Sequence, residues 1–370
     1  MTERVLILGG GYAGAYAALG AARARGNASV EIVLVSAEPD LVNRPRLYEP
    51  DPGPHLRYPL KPMLERIGVS FRLGRVIRID VGACRAILAD GATLPWDRLV
   101  IALGSQTKRP STPGIERAFD VGSYDGALAF NRHLKTLPAG ATITVIGSGF
   151  TGLELATELA GRYRIVLIER ADMIAPGFGE GPRETITRAL KALGVEMRPG
   201  TALDRIEGET TVWCGGMVAH PLTRTLHADR DALGRLVTKP TLAVRGMCDV
   251  YAAGDVALAM TDDEHPALMS CQHAIKLGQF AGHNAMSELL GRPTVPYRQP
   301  VYRMCLDLGA AGAVITEGWE YSVLKDGMEA KAQKREINRV WAALPTATDR
   351  ETLLAFGEPG TSKYRDTPKT

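Results

Sequence analysis

The chain has 370 residues, 45% hydrophobic and 23% charged, an ordinary globular composition long enough for two or three domains with separate cores. A formal net charge of +3 is small for this size and gives no reason to expect nucleic acid or an acidic partner. The five cysteines (Cys84, Cys214, Cys248, Cys271, Cys305) lie far apart with no C-x-x-C, which argues against a disulfide scaffold or a structural metal site.

The opening MTERVLILGGG enters a strand almost at once and carries no secretion-signal pattern, so a cytoplasmic protein is expected. The apolar stretch 12–22 stops at Arg23, too short to span a bilayer. VLILGGGYAG (5–14) and ITVIGSGFTG (143–152) are each an apolar β run ending in G-x-G-x-x-G before a small-residue helical stretch. The glycines are Gly9, Gly11 and Gly14 in the first, Gly147, Gly149 and Gly152 in the second. The first of each triplet makes a tight turn, the second admits a pyrophosphate, and the third lets helix and strand pack closely. One such motif is weak evidence; two, each followed by a second strand (VEIVLV, 30–35, and YRIVLIE, 163–169), point to two dinucleotide-binding domains.

The second strand of the second unit ends at Glu169, about 20 residues past Gly149, where a carboxylate accepts from a ribose 2′-OH and repels a 2′-phosphate. That favours NADH over NADPH. The first unit has Ser36 there; either its hydroxyl serves the ribose or Glu38 reaches back. IGVSFRLG (67–74) and LGVEMRPG (193–200) echo each other as short strands ending at glycine turns.

Further along, WDRLVIALGS (96–105), with Gly104, and VYAAGDVA (250–257), with Gly254 and Asp255, complete a set of four motifs that resembles the two-dinucleotide flavoprotein superfamily. There FAD occupies one domain and NAD(P)H the other, and the late Asp holds the FAD ribityl chain or phosphate. NRPRLYEP (43–50), with Arg44, TVWCGGMVAHPL (211–222), with Gly215 and Gly216, and CQHAIK (271–276) look most like type II NADH dehydrogenases and their soluble relatives. In CQHAIK, Gln272 and Ala274 match an Ala-Gln-x-Ala motif beside the flavin; Cys271 and Lys276 depart from it.

The resemblance implies an α/β fold of two Rossmann-like FAD/NAD(P)-binding domains plus a small C-terminal α+β domain. FAD would take 1–110 and 240–300, NADH 111–239, and a capping or interface domain 301–370. It implies hydride transfer from NADH to FAD, then electrons to a quinone-like small molecule. Alternatives are a reductase of a ferredoxin-like protein, a pathway-specific FAD oxidase and a nucleotide-dependent sensor.

Glu154, on the first turn after Gly152, matches a family glutamate between nicotinamide and flavin, where burial would raise its pKa and suit it to relay protons; the other reading is a solvated helix-capping carboxylate. Gln272 would hydrogen-bond the flavin edge and Lys276 add a positive charge, at a helix whose N-terminus faces the ring. Cys271 reads as a small buried side chain, and disulfide chemistry would need Cys271 and Cys305 to meet in the fold.

Beyond Tyr302 and Arg303, AKAQKREINRVW (330–341) reads as an amphipathic capping helix. Ile337, Val340 and Trp341 would face inward, and Lys331, Lys334 and Arg335 would form a solvated basic face. A homodimer contact or an acidic docking partner is the sharper alternative. The end, 351–370, is broken by Gly and Pro and lacks a long amphipathic helix, so at most peripheral membrane contact is expected.

Overall fold

The computed structural model describes residues 2–208, 210–346 and 348–360. The apolar runs VLIL and IVLV are too continuous for a sheet with one wet face, and both become fully covered parallel strands. Arg4–Leu8 lies between Glu31–Ser36 and Arg98–Ile101; Ser70–Leu73 extends one side and Val250–Ala252 the other. The last strand joins through Leu99↔Val250 and Ile101↔Ala252, so this sheet is built from two distant stretches of chain.

A second parallel sheet repeats the plan in the intervening sequence. Thr142–Ile146 lies between Arg164–Ile168 and Thr211–Trp213, with Glu196–Arg198 outside. Smaller antiparallel pieces surround these two, including a meander of Val76–Asp80, Arg85–Leu88 and Thr93–Pro95. The expected α/β class with two Rossmann-like units is what the chain adopts. The C-terminal part is α+β: Arg303–Asp307, Ala313–Glu317 and Ser322–Asp326 form an antiparallel sheet, followed by the helix Gly327–Glu336.

Two helices seal the first sheet. Tyr12–Arg25 is buried almost all round, and Cys271–Leu289 crosses it nearly backbone to backbone. A Cβ on Gly282 would sit 2.0 Å from the Ala17 carbonyl oxygen, and one on Gly278 would sit 2.3 Å from that of Ala13. Only hydrogen on those Cα atoms permits such an approach, and the close packing buries apolar area that drives folding.

The C-terminal helix corrects the sequence reading. Lys331 and Lys334 are buried, each 6% exposed, while Val340 is 58% exposed. The α-helix ends at Glu336 and passes into a π-turn over Ile337–Trp341. Positions 331, 334 and 338 share one face, and that face, Lys331, Lys334 and Asn338, points inward. Arg335 stays exposed. Buried anions on the neighbouring elements explain the inversion, because a lysine enters a core only when it is paired there. Residues 361–370 of the tail lie outside the described part of the chain.

Candidate active site between two glycine turns

The two glycine turns have matching geometry. Gly9 has φ +114° and Gly147 φ +105°, and a side chain at either would strike the carbonyl of Ala102 or of Cys214. A Cβ on Gly14 would lie 1.7 Å from the Gly9 oxygen, and one on Gly152 would lie 1.9 Å from the Gly147 oxygen. Gly11 and Gly149 face open space with nothing within 4 Å. Each is the N-cap of its helix, with no side chain capping the free N–H groups. Two uncapped helix starts beside open space suit two phosphate-bearing ligands.

Around the first turn the structure gathers most of the expected residues. Ser105 donates to Asp255 at 2.5 Å, and Arg44 lies 3.8 Å from the same carboxylate while donating to the Gly122 carbonyl. Gly104 (φ +70°) also faces open space, and Gly254 (φ +72°) is wedged between the Cβ atoms of Ala13 and Ala274. That wedge joins the Gly-Asp turn to the helix carrying Gln272. Ser36 is buried and accepts from the Glu38 amide, while Glu38 pairs with Arg57.

Around the second turn, Glu169 is buried at the strand end. Its carboxylate accepts from the Ser148 amide (2.9 Å), the Ser148 hydroxyl (2.8 Å) and the Ala171 amide (3.0 Å). Burial pushes its pKa up, but these hydrogen bonds, led by Ala171, outweigh it and hold the group below the usual carboxylate range. Gly215 lies against the Trp213 ring, whose indole N–H donates to the Lys108 carbonyl.

The helix Cys271–Leu289 starts beside the first turn, where Ala274 packs on Gly254 and Cys271 lies near Tyr12 and Asp255. Ser270 caps it, accepting from the His273 amide, and its hydroxyl also meets His273 Nδ1 at 2.9 Å. Burial drops His273 to about 4, leaving it neutral at ordinary pH. Its ring stacks on Tyr302, which stacks on Trp319, which in turn carries His265. Gln272 Oε1, His273 Nε2 and Trp319 Nε1 are buried without a hydrogen-bond partner among the described residues. Lys276 is half-buried about one helical turn beyond Gln272. All five cysteines are free, and burial pushes the Cys271 thiol up to about 11 against the pull of Lys334.

Glu154 is 6% exposed, so the solvated reading is wrong. Its carboxylate meets Lys334 Nζ at 2.9 Å and accepts from the Asp307 amide at 3.1 Å. Burial raises Glu154, with Lys334 only partly opposing; burial lowers Lys334, and the carboxylate more than offsets that, so Lys334 is raised too. Lys334 also donates to the Cys305 carbonyl. Lys334 and Ser105 were missed from sequence: a lysine in a charged helix and a serine after a glycine carry no local mark of burial or pairing.

Residues 3–278 match the pattern of the pyridine nucleotide-disulphide oxidoreductase family. The chain belongs to it. This oxidoreductase is therefore a flavin- and nicotinamide-linked enzyme. It is 39% identical over 393 aligned positions to a NADH dehydrogenase-like protein of Mycobacterium tuberculosis, covering 96% of this chain and 98% of the relative. It is 31% identical to the demethylphylloquinone reductase NdbB of Synechocystis, covering 85% and 86%. A type II NADH:quinone oxidoreductase of Staphylococcus saprophyticus is 24% identical, covering 91% and 94%. In fold, it resembles the sulfide:quinone oxidoreductase of Aquifex aeolicus (TM-score 0.77, 16% identity, 98% of this chain and 93% of that one). Among the described residues no helix is long and apolar enough to cross a membrane.

Proposed function

We propose that this oxidoreductase takes hydride from NADH onto FAD and delivers the electrons to a quinone-like small molecule. The observation that carries the reading is the pair of equivalent open turns at Gly11 and Gly149, with Glu154 leading from the second. FAD would occupy the first, held by Arg44, Ser105 and Asp255, with domain limits near 110, 240 and 300. NADH would occupy the second, with Glu169 facing its ribose. When bound, FAD supplies the two-electron acceptor chemistry that amino acids lack.

The protein's share is position, field and protons. Gln272 and the helix start at Cys271 would line the flavin edge, and Lys276 adds positive charge on the same helix. Glu154, raised by burial and coupled to Lys334, would hold or release a proton as charge changes beside it. The quinone class rests on the relatives named for quinone substrates. A ferredoxin-like partner would need an exposed basic face, and the lysines that suggested one are buried.

Anaerobic titration with NADH tests the reading. Bleaching of the flavin band at one equivalent is expected, with reoxidation faster on adding a quinone than with oxygen alone. A flavin that NADH leaves oxidised, or turnover that no quinone accelerates, refutes it.

A further inference from the structure

Beside Glu154 and Lys334 lies a second buried ion pair that the proposed reaction does not use. Lys331 Nζ donates to Asp307 Oδ1 at 2.6 Å and to the Gly309 carbonyl at 2.7 Å. Both side chains are under 8% exposed. Asp307 Oδ1 also accepts from the Gly309 amide, and Oδ2 accepts from the Tyr48 hydroxyl at 3.2 Å. Asn338 donates to the Tyr48 oxygen and, through its carbonyl, accepts from Asn43. Asn43 in turn accepts from Tyr12, the residue that follows Gly11.

Asp307 faces both ways. Its side chain is fixed by Lys331, while its main-chain N–H donates to Glu154 Oε1. Two carboxylates and two ammonium groups therefore share one dry region, and the ammonium groups come from one face of one helix. At close range in such a region an unbalanced charge acts strongly on its neighbours. Asp307 opposes ionisation of Glu154, and Lys331, paired with it, carries the opposite charge. The other groups are distributed around this centre. Tyr48 feels Glu154, Asp307 and Glu49; Glu158 feels Lys331, Asp307 and Arg162; Cys271 and Cys305 feel Lys334.

We propose that Asp307 and Lys331 are positioning residues: the Asp307 amide holds the Glu154 carboxylate against Lys334, and Lys331 cancels the Asp307 charge at that carboxylate. This inference rests on the proton role proposed for Glu154. It separates charge from structure, because removing Lys331 alone leaves an uncompensated charge beside Glu154, whereas removing both members of the pair leaves none. The Asp307 amide survives every side-chain substitution.

The experiment is the pH profile of flavin reduction by NADH, followed by stopped flow on the flavin-loaded enzyme, which needs no acceptor. In Lys331→Met the uncancelled Asp307 should move the acidic limb up by about one pH unit. Lys331→Arg should leave the limb in place. The double variant Asp307→Asn/Lys331→Met should return it to the parent position, although it has lost more native contacts than either single change. Flavin content and thermal unfolding of each variant establish that it is folded, and if Lys331→Met is too unstable to assay, Asp307→Asn, which leaves the Lys331 charge uncancelled and should move the limb down, carries the test.

A limb unmoved in Lys331→Met, or a double variant shifted from the parent, overturns the inference. Glu154→Gln distinguishes its failure from that of the underlying reading. Loss of the limb in Glu154→Gln beside an unmoved Lys331→Met sinks this inference alone. Persistence of the limb in Glu154→Gln sinks the proton role of Glu154 and this inference with it.

Discussion

The two glycine turns share a backbone and differ in what covers them. On the helix after each turn, the fifth residue past the middle glycine is Tyr16 in the first unit and Glu154 in the second, both buried. The first helix is sealed by an apolar partner that meets it at Gly278 and Gly282. The second is covered by the C-terminal sheet and helix, which bring two lysines and Asp307. The same supersecondary unit thus serves as a sealed cradle in one place and as the base of a buried, charged centre in the other. Chemistry is set by the cover, and the cradle sets only where the ligand lies.

The sharpest way to break this contrast is to remove the cation from the charged cover. Lys334→Met strands the Glu154 carboxylate in a buried site and should cost about 3–5 kcal/mol of stability in chemical denaturation. Tyr16→Phe, at the matching place in the sealed cradle, strands no charge and keeps the buried ring, and should cost no more than about 1 kcal/mol.

The sealed side has its own weakness, acid. His273 titrates near 4 when folded and at 6.5 when unfolded. Between those values the unfolded chain binds the extra proton. The stabilisation is therefore complete above about 6.5 and falls away as pH drops toward 4, by about 3 kcal/mol in all. Thermal melts of the parent and His273→Gln across that window should converge as pH falls.

The cradles themselves can be broken one at a time. Gly152→Ala should weaken NADH binding by roughly 100-fold, about 2.7 kcal/mol, while flavin stays bound. Gly14→Ala should release flavin first. Equilibrium dialysis and the flavin-to-protein absorbance ratio check both. A smaller effect on binding lies at the ribose: Glu169→Ser should shift the proposed NADH preference toward NADPH by roughly tenfold, about 1.4 kcal/mol, in the ratio of kcat/KM values.

Much of the sealed cradle was legible in the sequence because its signals are local. A G-x-G-x-x-G between an apolar strand and a small-residue helix specifies a backbone path, and Gly9, Gly11 and Gly14 follow it. The charged cover was not legible. Lys331, Lys334 and Asn338 lie on one helical face, but so do residues of any solvated polar stripe. Their partners Asp307 and Glu154 are separated from them by many residues in the chain, and only the tertiary fold shows that the anions are there to be met. The apolar Ile337, Val340 and Trp341 then misled, since Val340 faces solvent. Hydrophobic periodicity reports the inward face only when that face is apolar.

The strand Val250–Ala252 carries a consequence for biosynthesis. Residues Arg4–Leu8 leave the ribosome before the inserted sheet, yet their own sheet lacks its edge strand, and the helix Tyr12–Arg25 lacks its partner Cys271–Leu289, until those later segments have been made. The inserted sheet, Thr142–Trp213, is complete far sooner. Of the two parallel sheets, the one begun earlier is finished later, and while it waits its small-residue helix stands without the helix that covers it.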